Sequence, residues 1–173
     1  MAWADKPLRV GEDDQLSSLP IALDEERMKG ILASRAKECL GATFEIEQID
    51  MEIYRRHANR CVVQYRMRGR RGEGFAEQEW SVIGKVLAPG VGEAVFHKMQ
   101  QLWAHGFAHG AEDAIGIPEP LEFMPALSML LQEVIGGTSV RNLAKQSREE
   151  AQLRIVARAL AKLHRCPMPA GRT

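Results

Sequence analysis

The apolar and polar positions of this chain follow two periods, and each change of period marks an element. After Asp24, an N-cap candidate with Glu25 and Glu26 in the following turn, Met28, Ile31, Leu32 and Ala36 recur at helical spacing until Leu40-Gly41. From Thr43 the period is two: Phe44, Ile46, Ile49, Met51 and Ile53 alternate with charged residues, with a slip near Gln48 that predicts a bulge. Arg55–Arg60 reads as a turn into a second strand, Cys61–Met67, and Arg68–Gly74 as a turn into a third, Trp80–Leu87. Three strands joined by short turns predict an antiparallel meander.

Beyond Pro89–Gly92 the helical period returns. Val95, Phe96, Met99, Leu102 and Trp103 form one stripe, expected to be core, on a helix that begins at Glu93. Ile115–Phe123, with Pro118 and Pro120, is an extended entry into a fourth strand, and Ser128–Val134 is a fifth. The break at Ile135-Gly136-Gly137 precedes a short helix capped by Thr138 or Ser139 and running through Leu143. Ser147–Glu150 is a capping box for a last helix with Leu153, Val156, Leu160 and Leu163 on one face, closed by Pro167 and Pro169. Residues 1–23 show no period and read as a loose tail. The whole predicts an α+β fold.

One residue breaks the pattern of the third strand. Lys85 lies within Val82, Ile83, Val86 and Leu87, and a buried cation without a partner costs several kcal/mol. A carboxylate from the next helix (Glu93) or a bound anion would answer it; so would an edge strand whose Lys85 reaches water.

Composition narrows the classes. With 23 basic and 23 acidic residues there is no global field toward nucleic acid, and the arginines of the Arg66–Arg71 cluster, without interleaved aromatics, read as a solvated hairpin tip. The longest apolar run, Leu127–Leu131, is too short for a bilayer, and the first residues lack a signal-peptide pattern, so a cytoplasmic protein without membrane partners is the expectation. Cys39, Cys61 and Cys166 are widely spaced and suit neither a disulfide framework nor a thiolate zinc site. His105 and His109 stand four apart, but Gly106 and Gly110 interrupt them and no third ligand is near, so no metal site is expected.

The order of elements, with Gly84-Lys85-Val86, Gly92-Glu93-Ala94, Gly116–Pro120, Leu130–Gly137 and Leu160–His164 in sequence, resembles the aminoglycoside phosphotransferase family of small-molecule kinases. The resemblance implies a kinase-like N-lobe over residues 24–131, a five-stranded antiparallel sheet with an N-terminal helix and an αC-like helix. It makes residues 132–173 a hinge and the start of an incomplete C-lobe. It further implies that ATP is the cofactor, that Lys85 contacts its α- and β-phosphates and pairs with Glu93, and that Leu131 backs the adenine pocket. The Gln132 carbonyl and the Val134 N–H would hold the adenine edge.

Two departures limit the activity expected. The turn over the phosphates, Arg56–Arg60, has no glycine, so arginine or backbone groups would stand in. No aspartate follows Asp113, and His164-Arg165-Cys166 is not a catalytic His-x-Asp, so the base and the Mg²⁺-binding Asp of the family lack counterparts. The expectation is the ATP-binding portion of a small-molecule kinase, inactive as a truncated chain, with Mg²⁺ binding only alongside the missing C-lobe. That lobe, or a protein partner, would cover the 147–165 helix. The alternative is a non-catalytic nucleotide-sensing or protein-interaction module.

Overall fold

The computed structural model describes residues 16–40, 44–71, 77–137 and 150–167. The period-two stretches become β1 (Phe44–His57), β2 (Arg60–Arg71), β3 (Glu77–Leu87), β4 (Pro120–Met124) and β5 (Met129–Glu133). They form one open antiparallel sheet in the order β1-β2-β3-β5-β4. Helices α1 (Leu19–Ala22), α2 (Glu25–Leu40), α3 (Gly92–Leu102) and α4 (Glu150–Arg165) complete an α+β architecture. The Thr138–Leu143 helix and the Ser147–Glu149 cap expected from the sequence lie outside the described residues.

The β1–β2 hairpin is longer than its sequence suggests. Its turn is only Ala58-Asn59, and the register slips between Ile46 and Gln48, as the broken alternation predicts, and again between Ile53 and Arg55. Arg66, Arg68 and Arg70, expected at a hairpin tip, lie within β2 and pair with Glu52, Asp50 and Glu47 of β1. The partners stand on the adjacent strand, which a reading by local turn signals does not bring together. Such exposed pairs are screened by solvent, so they favour the register more than they stabilise the fold.

One face of the sheet carries the core. Cys61, Val63, Tyr65, Met67, Val82, Val86, Met129 and Leu131 are fully buried there beneath Met28, Leu32 and Ala36 of α2 and Leu19 and Ala22 of α1. Burial of each large apolar side chain contributes roughly 1.5–3 kcal/mol. Asp24 caps α2 as its sequence position predicts, accepting the Arg27 N–H at 3.0 Å. Residues 16–23 depart from the loose tail expected for 1–23. Leu16, Leu19 and Ala22 recur every three residues and enter the core, and the Tyr65 hydroxyl donates to the Ala22 carbonyl at 2.7 Å. The segment is too short for a period to emerge, but the single helical turn puts Leu19 and Ala22 on one face, and Leu16 enters the core just ahead of it. Gly84 makes room for this packing: a Cβ there would lie 2.7 Å from the Tyr65 ring and 2.9 Å from the Met129 sulfur.

The other face is covered only in part. Helix α3 lies against β4 and β5, where Gly92 sits so close to the Phe123 ring that a Cβ would meet it at 2.4 Å. The stripe Val95, Phe96, Met99, Leu102 and Trp103, expected to be core, is only half-buried, because α3 covers the short β4–β5 edge rather than the middle of the sheet. A kinked turn, Trp103–Phe107, follows, in which His105 and Gly106 leave helical geometry, Gly106 at φ 89°, and Phe107 is buried. No helix among the described residues is long and apolar enough to cross a membrane.

Candidate functional site

Pairing registers fix what shares the partly open face. Val62 stands opposite Lys85, Gln64 opposite Ile83, Lys85 opposite Leu130 and Ile83 opposite Gln132, so these six residues lie on one side of the sheet. At the hairpin end, Arg55 is opposite Val62, His57 opposite Arg60 and Arg60 opposite Leu87, which brings Arg55, His57 and Arg60 to the same side as Lys85. At the other end of β2 the charges are matched: Arg66 with Glu52, Arg68 with Asp50. The face is therefore polarised, cationic near the Ala58-Asn59 turn and neutralised away from it.

Lys85 is half-buried between Val62 and Leu130, and burial, then the Arg60 guanidinium beside it, lowers its ammonium below the ordinary lysine range. The sequence expectation of a Lys85–Glu93 pair is not met. Glu93 is exposed in the first turn of α3, and no described carboxylate forms an ion pair with Lys85. The reason is placement: α3 sits over β4 and β5, so its first turn does not reach across to β3.

Leu131 also stands elsewhere than expected. It is opposite Gly84 and fully buried on the α1–α2 side, and side chains alternate along a strand, so it cannot line a pocket on the Lys85 face. Gln132, one residue on, occupies that side; it is buried, and its Oε1 accepts no hydrogen bond among the described residues. Leu131 and Gln132 are adjacent in an apolar run, where pattern alone does not say which side each takes.

The backbone of the β5 end is partly committed. Leu87 donates to the Ser128 carbonyl at 3.0 Å and Glu133 to the Glu119 carbonyl at 3.0 Å, so even-numbered residues of β5 direct their peptide groups to β3 and odd-numbered ones to β4. The Gln132 carbonyl, expected to meet a base, is thus turned to Ile83. Val134 lies just past the ladder and lines a shallow cavity of about 530 Å³ with Ser81, Trp80, Leu121, Glu79, Glu119 and Glu133. The His109 Nε2 meets the Glu133 carboxylate, and its ring stands edge-on to Trp103 at 5.4 Å. His105 bonds the Gln101 carbonyl through Nδ1, and no group of metal-ligating side chains occurs among the described residues.

Of the five residues singled out by sequence, Lys85 and Gln132 share the open face, Val134 borders the cavity at its end, and Leu131 and Glu93 stand apart. Arg55 and His57 were not singled out, and Arg60 only as one of the arginines of the Arg56–Arg60 turn that would stand in for a glycine loop. All three come from a segment that reads as a loop, and only the long β1–β2 register brings them to Lys85. No family model matches this chain, and no curated protein or solved structure matches it either.

Proposed function

We propose that this chain is the nucleotide-binding portion of a small-molecule phosphotransferase of the kinase type, with ATP lying along the Lys85 face. One observation carries the reading: Arg55, His57, Arg60 and Lys85 converge on one side of the sheet without a described carboxylate paired to Arg55, Arg60 or Lys85. Lys85 is half-buried and the exposed Arg60 guanidinium beside it disfavours its charge; a polyphosphate relieves that cost and gains charge-assisted hydrogen bonds from Lys85, Arg55 and Arg60. The arginines take the place of a glycine-loop cradle, since Ala58-Asn59 offers no glycine there. Topology supports the same reading, because a five-stranded sheet ordered β1-β2-β3-β5-β4 with a helix between β3 and β4 is what a kinase-like N-lobe requires. The cavity bordered by Val134 lies at the far end of β3 from Arg60. Transfer itself would need a base and a metal-holding aspartate, and the sequence has no Asp after Asp113.

Calorimetric titration with ATP, adenosine and tripolyphosphate, with and without Mg²⁺, tests the proposal. Saturable ATP binding that weakens about tenfold in Lys85→Met and in Arg60→Gln, with adenosine unaffected, is expected. No saturation at millimolar ATP, or equal affinity in both variants, overturns it.

A second reading, a protein-interaction module, rests on α4. Leu153, Leu160 and Leu163 are 70%, 51% and 40% exposed and share a side of the helix by their spacing. Sedimentation that stays monomeric at micromolar concentration, with no binding of an apolar dye, removes its motive.

A further inference from the structure

Among the described residues, Lys162 makes the hydrogen bonds that tie helix α4 to the 106–115 segment. Lys162 Nζ donates at 2.7 Å to each of the Gly106 carbonyl, the Asp113 carboxylate and the Ile115 carbonyl, and lies 4.6 Å from the centre of the Phe107 ring. Its three donors are spent and its charge is matched by Asp113, whose carboxyl is held below the usual range chiefly by that hydrogen bond. Around this tie is a cavity of about 450 Å³. Arg158, Lys162, Arg165 and Cys166 line it from α4, and His105, Phe107, Asp113 and Ile115 from the opposite side.

The charges of this lining do not balance. Arg158, Lys162 and Arg165 give three positive charges against the one of Asp113, a net of two. Asp113 is already engaged by Lys162, and neither Arg158 nor Arg165 has an ion-pair or hydrogen-bond partner among the described residues. Attraction to the negative end of α4 explains an arginine in the last turn, but Arg158 lies two turns earlier. Guanidinium groups seven residues apart stand on one side of a helix and can grip a tetrahedral oxyanion between them through paired N–H groups.

We propose that this cavity is a binding site for a phosphate-class oxyanion, either the free ion or the phosphoryl group of a small metabolite, held by Arg158 and Arg165. Lys162 and Asp113 shape the floor and do not themselves supply the binding charge. The site is built from α4 and the 105–115 segment, shares no residue with the Lys85 face, and stands or falls independently of ATP binding there.

Cys166 provides the readout, because it lies in the lining while Cys61 is fully buried. In the full chain carrying Cys39→Ser, thiol labelling is followed with an anionic aromatic disulfide and with a neutral dipyridyl disulfide; Cys166→Ser identifies the reacting thiol. The anionic reagent is expected to lose about tenfold in rate relative to the neutral one in Arg158→Gln/Arg165→Gln. Inorganic phosphate and glycerol phosphate should protect wild-type Cys166 saturably, and potassium chloride of equal ionic strength should not. Tighter protection by glycerol phosphate assigns the site to an organophosphate; tighter protection by inorganic phosphate assigns it to the free ion. Protection no better than chloride, or undiminished in the double variant, overturns the proposal. Unchanged circular dichroism and neutral-reagent rate in the double variant separate a lost site from a lost fold.

Discussion

The two faces of the sheet are made from the same five strands and put to different use. On one, Val63, Tyr65, Val82, Val86, Met129 and Leu131 are fully buried beneath α1 and α2. On the other, Gln64, Ile83, Lys85 and Gln132 lie between a cationic hairpin end and a helix that covers only the β4–β5 edge. The first face supplies stability and tolerates little change. The second keeps a half-buried cation whose charge burial disfavours and a buried amide oxygen without a described hydrogen-bond donor.

Substitutions on either side should behave oppositely. Leu131→Ala removes a fully buried side chain from the packed face and is expected to cost about 3 kcal/mol in urea unfolding. ATP affinity of the protein that remains folded should be unchanged; a large loss would return Leu131 to the pocket. Tyr65→Phe takes the hydroxyl from the Ala22 carbonyl and should cost about 1–2 kcal/mol, with faster hydrogen exchange in α1. If α1 exchange does not change, residues 16–23 are held by other contacts.

Smaller effects are expected on the open face. Gln132→Leu removes an oxygen that has no described partner, so stability should stay level or rise by up to ~1 kcal/mol while ATP binding changes. A loss near 2 kcal/mol would show that the amide is structural. The smallest effect is in pH dependence. Because the folded protein holds the Lys85 ammonium below its ordinary value, the unfolded chain binds the proton more tightly. The penalty is full at neutral pH and fades as pH rises from the lowered value toward the ordinary lysine range. Wild type should therefore gain stability over Lys85→Met across that alkaline window in paired denaturant titrations, and saturating ATP should erase the difference. A flat or falling difference would mean that burial does not disfavour the Lys85 charge.

Much of the fold is legible along the chain because its elements announce themselves locally. Asp24, the broken alternation near Gln48 and Pro118 and Pro120 at the start of β4 each act within a few residues of themselves. The site is less legible because it depends on which strands meet. Leu131 and Gln132 exchange roles by a shift of one residue, which composition cannot detect and register decides. Lys162 reads as one more basic residue near a helix end, yet its partner Asp113 lies 49 positions earlier.

The sequence by itself determined the alternation of helix and strand, the caps and turns, and the oddity of a lysine inside an apolar strand, since all of these follow from short-range backbone preference and side-chain period. Tertiary structure alone decided which face Lys85 occupies, that α3 leaves Glu93 in solvent, and that Arg55, His57 and Arg60 stand with Lys85. Those outcomes come from long-range pairing and from the area a helix must cover, and neither is written in any single stretch of chain.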